Sequence, residues 1–437
     1  MKDKVAVIGG GLAGSECAYQ LAKQGIKVTI FEMKPKKFSP AHKNPDLAEL
    51  VCSNSFRSED IYSCVGLLKR EMRDLDSLIV KMADKTKIPA GKALAVDREK
   101  FAHEVTSFLE GMSNVEIIRK EIISLSDPDL TNFSFVVIAA GPLITSDFVK
   151  NLKQFIGKDL YFYDAIAPIV SADSINWDKV FWGARYEPDS KDYLNCPMTE
   201  EEYHRFREAL LKAQKVPYRD FEDPKHFEGC LPIEVLAERG EMTLAFGPLK
   251  PVGLIDPKTG KRPFAVVQLR PENLEKTMFN LVGFQTKLTY KEQERVFRLI
   301  PGLENARFER YGSMHRNTYV NAPKVLTPFL ELKKKKNVFM AGQITGVEGY
   351  VESAACGLWL GIYLSGIIRE KDVSLPPEET ALGALLKHLR TPKKDFQPMN
   401  ANFGLMPPVK APKKDRKKLY VKRAREVFKI WIEKLGL

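Results

Sequence analysis

The sequence predicts an α/β fold, with a predominantly parallel sheet in one domain and an α+β domain inserted into it. Three observations support this prediction: a strand–glycine loop–helix–strand unit at the amino terminus, a strand–glycine turn–helix unit near residue 340, and a change of composition between them. We predict that the first part of the main domain covers residues 1–184, the inserted domain 185–305 and the second part of the main domain 306–437.

The amino-terminal unit has the pattern of a phosphate-binding turn. Residues 5–8 are a short apolar run, and they lead into Gly9-Gly10-Gly11-Leu12-Ala13-Gly14, which fits G-x-G-x-x-G. Gly9 allows the tight turn, Gly11 lets a pyrophosphate approach the backbone, and Gly14 lets the next helix pack on the strand. The free N–H groups at the start of that helix would face the phosphates.

The next strand of this unit ends on an acidic residue. Lys27 to Phe31 is the predicted strand, and Glu32 follows it, about twenty residues after the loop. A carboxylate there accepts hydrogen bonds from an adenosine ribose and repels a 2′-phosphate. The unit therefore predicts a Rossmann-like dinucleotide site that favours FAD or NAD over NADP. The alternative is a glycine-rich turn in some other α/β fold.

A second glycine turn lies late in the chain. A strand over residues 337–340 runs into Ala341-Gly342-Gln343, and a helix is predicted over residues 351–367. The turn lacks G-x-G-x-x-G spacing, so it does not predict a second dinucleotide fold. Its small residues suit the return of the chain to a flavin, with the helix amino terminus directed at the cofactor. This turn makes a resident FAD the favoured cofactor.

The composition changes between Arg185 and Pro301. Prolines become frequent, a charged helix is predicted over Glu200 to Lys212, and residues 242–245 and 264–269 look like antiparallel strands. We interpret this region as the inserted domain.

Bulk composition limits the possible compartments and partners. The 437 residues include six scattered cysteines without C-x-x-C pairs, which predicts a reduced, cytoplasmic protein with no metal site. No run approaches the eighteen or so apolar residues of a membrane span, and the chain enters its first strand too early for a signal peptide. We therefore expect no membrane association.

The positive charge is concentrated near the carboxyl terminus. Residues 410–434 hold eleven Lys and Arg against three acids, which accounts for eight of the twelve net positive charges. Their apolar residues recur at helical spacing, so we predict an amphipathic helix docked on the body with its basic residues outward. This basic face is either simply solvated or a contact for a phosphate backbone.

Two cysteines lie in polar loop contexts. Cys52 belongs to a Pro-, Ser- and Asn-rich loop over residues 34–66, and Cys230 stands between a glycine and a Leu-Pro pair. Each is either a small, half-buried residue or a thiolate nucleophile.

Several longer motifs carry a family resemblance over essentially the whole chain. In order, AELVCSNSFRSED, YFYDAIAPIV, FEGCLPIE, GSMHRNTYVN, AGQITGVEGYVESAACG and MNANFGLMPP resemble the TrmFO family, the folate- and FAD-dependent tRNA (uracil-5-)-methyltransferases related to the GidA flavoproteins. The resemblance implies that carbon 5 of the T-loop uridine at tRNA position 54 becomes methylated. Methylenetetrahydrofolate would supply the carbon, resident FAD the electrons, and NADH or NADPH would transiently reduce the flavin. No obligate protein partner is implied.

The resemblance also implies roles for individual residues. Cys230 matches the family's cysteine nucleophile, and Cys52 matches a second cysteine near the flavin that assists or acts as a base. His315 and Glu348 match positions expected to hold the folate pterin. FAD would lie on the residues of the two glycine turns and on the acid that follows the second strand: Gly9, Gly10, Gly11, Leu12, Ala13, Gly14, Glu32, Ala341, Gly342 and Gln343.

Three alternatives remain open on the sequence. The same chemistry could act on a ribosomal RNA uridine, which mapping the modified uridine would reveal. A flavin oxidoreductase acting on a small molecule would need no RNA and would give the basic helix no function. A GidA-like subunit for wobble-uridine modification would be expected to have a longer, helical carboxyl-terminal domain and a GTPase partner.

Overall fold

The computed structural model describes residues 4–157, 160–187, 190–216, 231–394, 396–412 and 414–435, with only the backbone described for 160–166 and 314–316. The strands are β1 (Lys4–Ile8), β2 (Lys27–Phe31), β3 (Ser55–Ser58), β4 (Lys87–Ile88), β5 (Ala93–Val96), β6 (Val115–Ile118), β7 (Phe135–Ile138), β8 (Leu160–Ile166), β9 (Ile169–Ser171), β10 (Phe181–Trp182), β11 (Leu194–Met198), β12 (Ala265–Pro271), β13 (Met278–Leu281), β14 (Phe308–Arg310), β15 (Ser313–Tyr319) and β16 (Val338–Met340). The helices are α1 (Leu12–Ala22), α2 (Cys64–Asp74), α3 (Leu78–Lys85), α4 (Arg98–Glu110), α5 (Ser146–Ile156), α6 (Glu200–Lys212), α7 (Ile233–Glu238), α8 (Thr243–Phe246), α9 (Tyr290–Phe297), α10 (Ala322–Val325), α11 (Tyr350–Ile368), α12 (Ala381–Arg390) and α13 (Arg416–Leu435).

The main sheet has five strands in the order β16-β7-β1-β2-β6, and every pairing is parallel. The predicted α/β class is therefore confirmed. Four of the five residues of β1 are buried, as expected for a strand covered by helices on both faces. Because the strands are parallel, their carboxyl ends meet at one edge, and the two glycine turns follow β1 and β16 at that edge.

Helices α1 and α11 pack against each other through small residues. A Cβ atom at Gly357 would lie 2.1 Å from the carbonyl oxygen of Ala13, so only glycine allows this approach. The expectation that no segment approaches the apolar length of a membrane span was wrong, because α11 is long and apolar enough to cross a membrane. However, 83% of its apolar window is buried inside the protein, so core packing accounts for its hydropathy.

A second sheet has six strands in the order β10-β11-β12-β13-β9-β14, with antiparallel pairings, and it encloses a separate hydrophobic core. Helix α6 has the predicted bounds and begins with a capping box between Thr199 and Glu202. The strand expected at residues 242–245 was wrong, because α8 occupies that position. The domain boundaries at 184/185 and 305/306 remain a prediction. The sheet itself also includes β9 and β10 before the first boundary and β14 after the second.

The basic carboxyl-terminal segment forms the predicted amphipathic helix, α13. The residues that it buries recur at helical spacing: Val421, Ala424, Phe428, Trp431 and Leu435. The indole N–H of Trp431 donates to the carbonyl of Ser374 at 3.2 Å, which anchors the helix on the body. Four exposed basic residues, Lys418, Lys422, Arg425 and Lys429, form one line along its outer side.

Candidate functional site

A deep cleft opens at the carboxyl edge of the five-stranded sheet. It has about 1130 Å³ of empty space, part of which is open to solvent at its mouth. Of the predicted cofactor residues, those that line the cleft are Gly9, Gly11, Leu12, Ala13, Glu32, Ala341, Gly342 and Gln343. The small residues that follow β7, Ala139 to Gly141, line it too. The cleft is large enough for a dinucleotide.

The glycines of the first loop serve two different purposes. A Cβ atom at Gly14 would lie 1.9 Å from the carbonyl oxygen of Gly9, so this glycine is required by packing of α1 on the loop. A Cβ atom at Gly11 would meet nothing within 4 Å, and Gly11 faces the cleft. The space beside Gly11 therefore fits a ligand that approaches the backbone, and the N–H groups of the first turn of α1 suit a phosphate there.

Glu32 lies at the end of β2, with the acidic group buried in the cleft wall. Its Oε2 accepts the N–H of Gly10 at 2.8 Å, and its Oε1 accepts the N–H of Lys34 at 2.9 Å. A carboxylate oxygen has two acceptor positions, so both oxygens can still accept a ribose hydroxyl. Gly10, which was also predicted to bind the cofactor, does not line the cleft. Its N–H instead binds and orients the Glu32 carboxylate.

The long loop after β2 covers the cleft with charged side chains. Lys34 pairs with Glu49 at 3.2 Å, and both side chains are nearly inaccessible to solvent. His42 lies beside them, and its pKa is lowered by burial and by the charge of Lys34. This imidazole is therefore neutral near pH 7. This loop therefore forms part of the cleft wall.

Cys52 lies at the end of this loop, in contact with the first residue of α11. The hydroxyl oxygen of Tyr350 accepts the N–H groups of Cys52 and Ser53 at 2.7 Å and 3.2 Å, and it is 2.9 Å from Cys52 Sγ. Cys52 Sγ donates to the same hydroxyl oxygen. Burial and the neighbouring Cys52 raise the pKa of Tyr350 well above its usual value, so the phenol stays protonated and can donate to the sulfur once the thiol has lost its proton.

Two arginines hold the chain on either side of Cys52. Arg98, from α4, donates to the carbonyl of Leu50 at 2.7 Å and pairs with Glu272. Arg270, from β12, donates to Ser53 Oγ and Asn54 Oδ1, both at 2.8 Å. The Cys52 loop is thus held between the two sheet units.

The other predicted site residues have mixed outcomes. Glu348 is buried and accepts the side-chain N–H of Gln343 at 2.7 Å, so the structure brings these two together. The backbone of His315 pairs with Asp164 in a two-stranded sheet, and its side chain lies outside the described residues. Cys230 also lies outside them. The proposed roles of Cys230, Cys52, His315 and Glu348 remain predictions.

The four other cysteines of the described residues differ from Cys52 in their burial. Cys17, Cys64, Cys196 and Cys356 are buried thiols, whereas Cys52 is partly exposed. Across the described ranges, no group of His, Cys, Asp or Glu is arranged to hold a metal ion.

Tyr350, Arg98 and Arg270 are site residues that the sequence alone did not predict. The only local signal was the position of Tyr350, directly after Gly349 at the start of a helix that follows the second glycine turn. Arg98 and Arg270 have no such signal, because their partners lie 48 and 217 residues away along the chain.

Comparison with known proteins places the chain in a family. The family described as Glucose inhibited division protein A (GIDA) matches residues 4–372. The protein of Oleidesulfovibrio alaskensis named methylenetetrahydrofolate--tRNA-(uracil-5-)-methyltransferase TrmFO is 62% identical over 98% of this chain and 96% of its own length. The Aquifex aeolicus protein of that name is 54% identical over 100% of this chain and 98% of its own.

Solved structures agree on the fold. Aquifex aeolicus GidA superposes with a TM-score of 0.72 at 18% identity, covering 100% of this chain and 74% of that one. The parallel sheet, the cleft and the acid that ends β2 thus define a dinucleotide-binding protein of the flavoprotein class. Within that class the chain belongs to the GIDA family, and among its members to the TrmFO proteins.

Proposed function

We propose that this protein methylates carbon 5 of the T-loop uridine at position 54 of tRNA. Methylenetetrahydrofolate would supply the carbon, FAD the electrons, and NADH or NADPH would reduce the flavin. The observation that carries the proposal is the position of Cys52, in a loop held by two arginines beside a flavin-type cleft, in a chain 62% identical to a protein named for this reaction. We also propose that it acts in the cytoplasm without an obligate protein partner.

The residues of the cleft fit FAD. The pyrophosphate would lie on Gly11 and the amino terminus of α1, the adenosine ribose on Glu32, and the flavin end near Ala341 to Gln343. Bound there, the flavin supplies the two reducing equivalents that convert a methylene group to a methyl group. We propose that Tyr350, beside the flavin end, and the buried Lys34–Glu49 pair, beside Glu32, keep the walls of the cleft ordered.

The substrate chemistry requires a nucleophile and a base. Carbon 5 of uracil is too weak a nucleophile to take a one-carbon unit unaided, but addition of a thiolate at carbon 6 produces an enolate that can. We assign this addition to Cys230. After carbon 5 has bonded to the methylene carbon, its proton must leave to a base and tetrahydrofolate must leave from the methylene, which becomes an exocyclic double bond. Two reducing equivalents, of the kind a reduced flavin would supply, then convert this methylene to a methyl group, and the thiolate is expelled from carbon 6. We assign the base to Cys52, whose sulfur lies 2.9 Å from the proton-carrying hydroxyl of Tyr350.

The outer surface of α13 suits a polyanionic substrate. The line formed by Lys418, Lys422, Arg425 and Lys429 spans about 16 Å. The first turns of the helix lie near the cleft: Tyr420 stacks on Phe403 at 5.2 Å, and Ala401, two residues earlier, donates its N–H to Glu352 of α11. We propose that this line contacts tRNA phosphates.

The decisive test is Cys230→Ala with Cys64→Ala as a matched control. We expect Cys230→Ala to abolish 5-methyluridine formation in tRNA transcripts and to prevent an adduct with RNA containing 5-fluorouridine, while bound FAD is unchanged. The control should retain both. Full methylation by Cys230→Ala would refute the assigned nucleophile. Mapping the missing methyl group in a deletion strain would distinguish tRNA from ribosomal RNA as the substrate.

A further inference from the structure

Three aromatic rings form a column on the second unit. The ring of Tyr311 stacks on Phe308 at 5.3 Å and 16°, and on Tyr290 at 4.5 Å and 17°. Aromatic side chains in protein interiors adopt edge-to-face and offset-stacked contacts. Here the stacked geometry continues over three nearly parallel rings in succession, as it does in stacked nucleobases.

The column is rigid because its middle and inner rings are anchored. The side-chain amide of Gln293, which is fully buried, donates to the carbonyl of Gly312 at 2.9 Å and accepts its N–H at 2.7 Å. The hydroxyl of Tyr311 bonds to Glu294, and Phe308 contacts the core residue Phe297 at 6.4 Å. A surface ordered in advance loses little conformational entropy when a ligand binds.

The outer end of the column is open. Tyr290 is the first residue of α9, and 58% of its surface is exposed although one face of its ring is covered by Tyr311. Lys291, which follows it, is also exposed. An accessible aromatic face beside a cation is the combination with which proteins stack the bases of single-stranded nucleic acids.

The column stands close to the proposed reaction site. Arg310, the neighbour of Tyr311, donates to the carbonyl of Ala41 at 3.1 Å, next to His42 in the cleft wall. On the other side, the N–H of Thr289 donates to Gln214, and the N–H of Ile233 donates to Gln285. Residues on both sides of the segment that contains Cys230 are therefore attached beside the start of α9.

We propose that a nucleobase of the RNA substrate stacks on the open face of Tyr290 and extends the column. This inference rests on the proposed function. A thiolate can add to carbon 6 of a uridine only after that base or its neighbours leave the stack of the loop. The open face of Tyr290 receives such an unstacked base, independent of its identity, and holds the RNA over the cleft.

The test compares Tyr290→Ala with Tyr186→Ala. Tyr186 is a matched control, because it lies in the same unit and 59% of its surface is exposed. The probe is a T-arm stem–loop transcript, with dissociation constants measured by fluorescence anisotropy and methylation measured under single turnover. We expect Tyr290→Ala to weaken binding about 5- to 150-fold and Tyr290→Phe or Tyr290→Trp to restore it, since stacking needs the ring and not the hydroxyl.

Each outcome has a distinct meaning. Equal affinities for Tyr290→Ala and Tyr186→Ala, or failure of Tyr290→Phe to restore binding, would overturn the stacking role. Bound FAD and NADPH oxidation without RNA should be unchanged in every variant, which excludes misfolding. If the unmodified protein itself neither binds nor methylates the transcript, the proposed function fails rather than the stacking inference.

Discussion

The cofactor cleft and the Cys52 loop are built on different principles, although they adjoin. Where it meets the ends of the parallel strands, the cleft is formed by glycines and other small residues, such as Gly11 after β1 and Gly342 after β16. The Cys52 loop is formed by large polar side chains from three distant segments, namely Arg98, Arg270 and Tyr350. Substitutions in the cleft should therefore act by steric effects. Substitutions around the loop should act by changing charge and hydrogen bonding.

The largest expected effect separates packing from ligand contact within the cleft. Gly14→Ala places a methyl group 1.9 Å from the carbonyl oxygen of Gly9, so we expect loss of folded protein. Gly11→Ala meets no protein atom within 4 Å, so the melting temperature without FAD should be unchanged while FAD affinity falls at least tenfold. Equal melting temperatures with and without FAD in the unmodified protein would contradict this account.

The second prediction concerns the sulfur of Cys52 and the Tyr350 hydroxyl beside it. Cys52→Ala should slow methylation about 10²- to 10⁴-fold, the usual loss for a general base, with FAD retained. Tyr350→Phe removes the hydroxyl beside Sγ, so we expect a smaller loss, about tenfold, and slower alkylation of Cys52 by iodoacetamide at pH 7. Faster alkylation in Tyr350→Phe would show that the phenol shields the sulfur rather than activates it.

The third prediction tests whether the second unit orders the loop. Arg270→Gln loses bonds to Ser53 and Asn54, and a hydrogen bond to a charged group contributes about 1.5–3 kcal/mol. We expect kcat for methylation to fall about 10- to 100-fold with FAD content unchanged. Arg262→Gln, at an exposed arginine of the same unit, is the control and should behave like the unmodified protein. Loss of FAD in Arg270→Gln would mean that loop and cleft are not separable.

The smallest expected effect is at the outer surface of α13. Lys422→Gln with Lys429→Gln removes two charges from the basic line, and Arg416→Gln with Lys434→Gln removes two from the other flank of the same helix. We expect only the first pair to weaken tRNA binding, about fivefold. The slope of log affinity against log salt should fall by about 1.5. Identical slopes for both pairs would favour a merely solvated helix face.

Much of the fold could be predicted because its signals are local. The apolar run, glycine loop, helix and acid of the first unit occur within 32 residues, and the bounds of β2 and α6 agree with the predicted ones. The region 242–245 was misjudged as a strand because four mostly apolar residues do not distinguish a strand from a buried helical turn. The hydropathy of α11 would also suit a membrane span, and only its packing against α1 and the helices around it shows that it is a core helix.

By itself, the sequence determined the cofactor edge of this protein. Glycine positions and the acid at the end of β2 are constrained by backbone geometry, which acts between residues near in the chain. Only the tertiary structure decided the surroundings of Cys52. The hydroxyl of Tyr350 reaches it across 298 residues, and Arg270 reaches its neighbour across 217. Such contacts depend on how two sheets pack together, and no local pattern of residues records that packing.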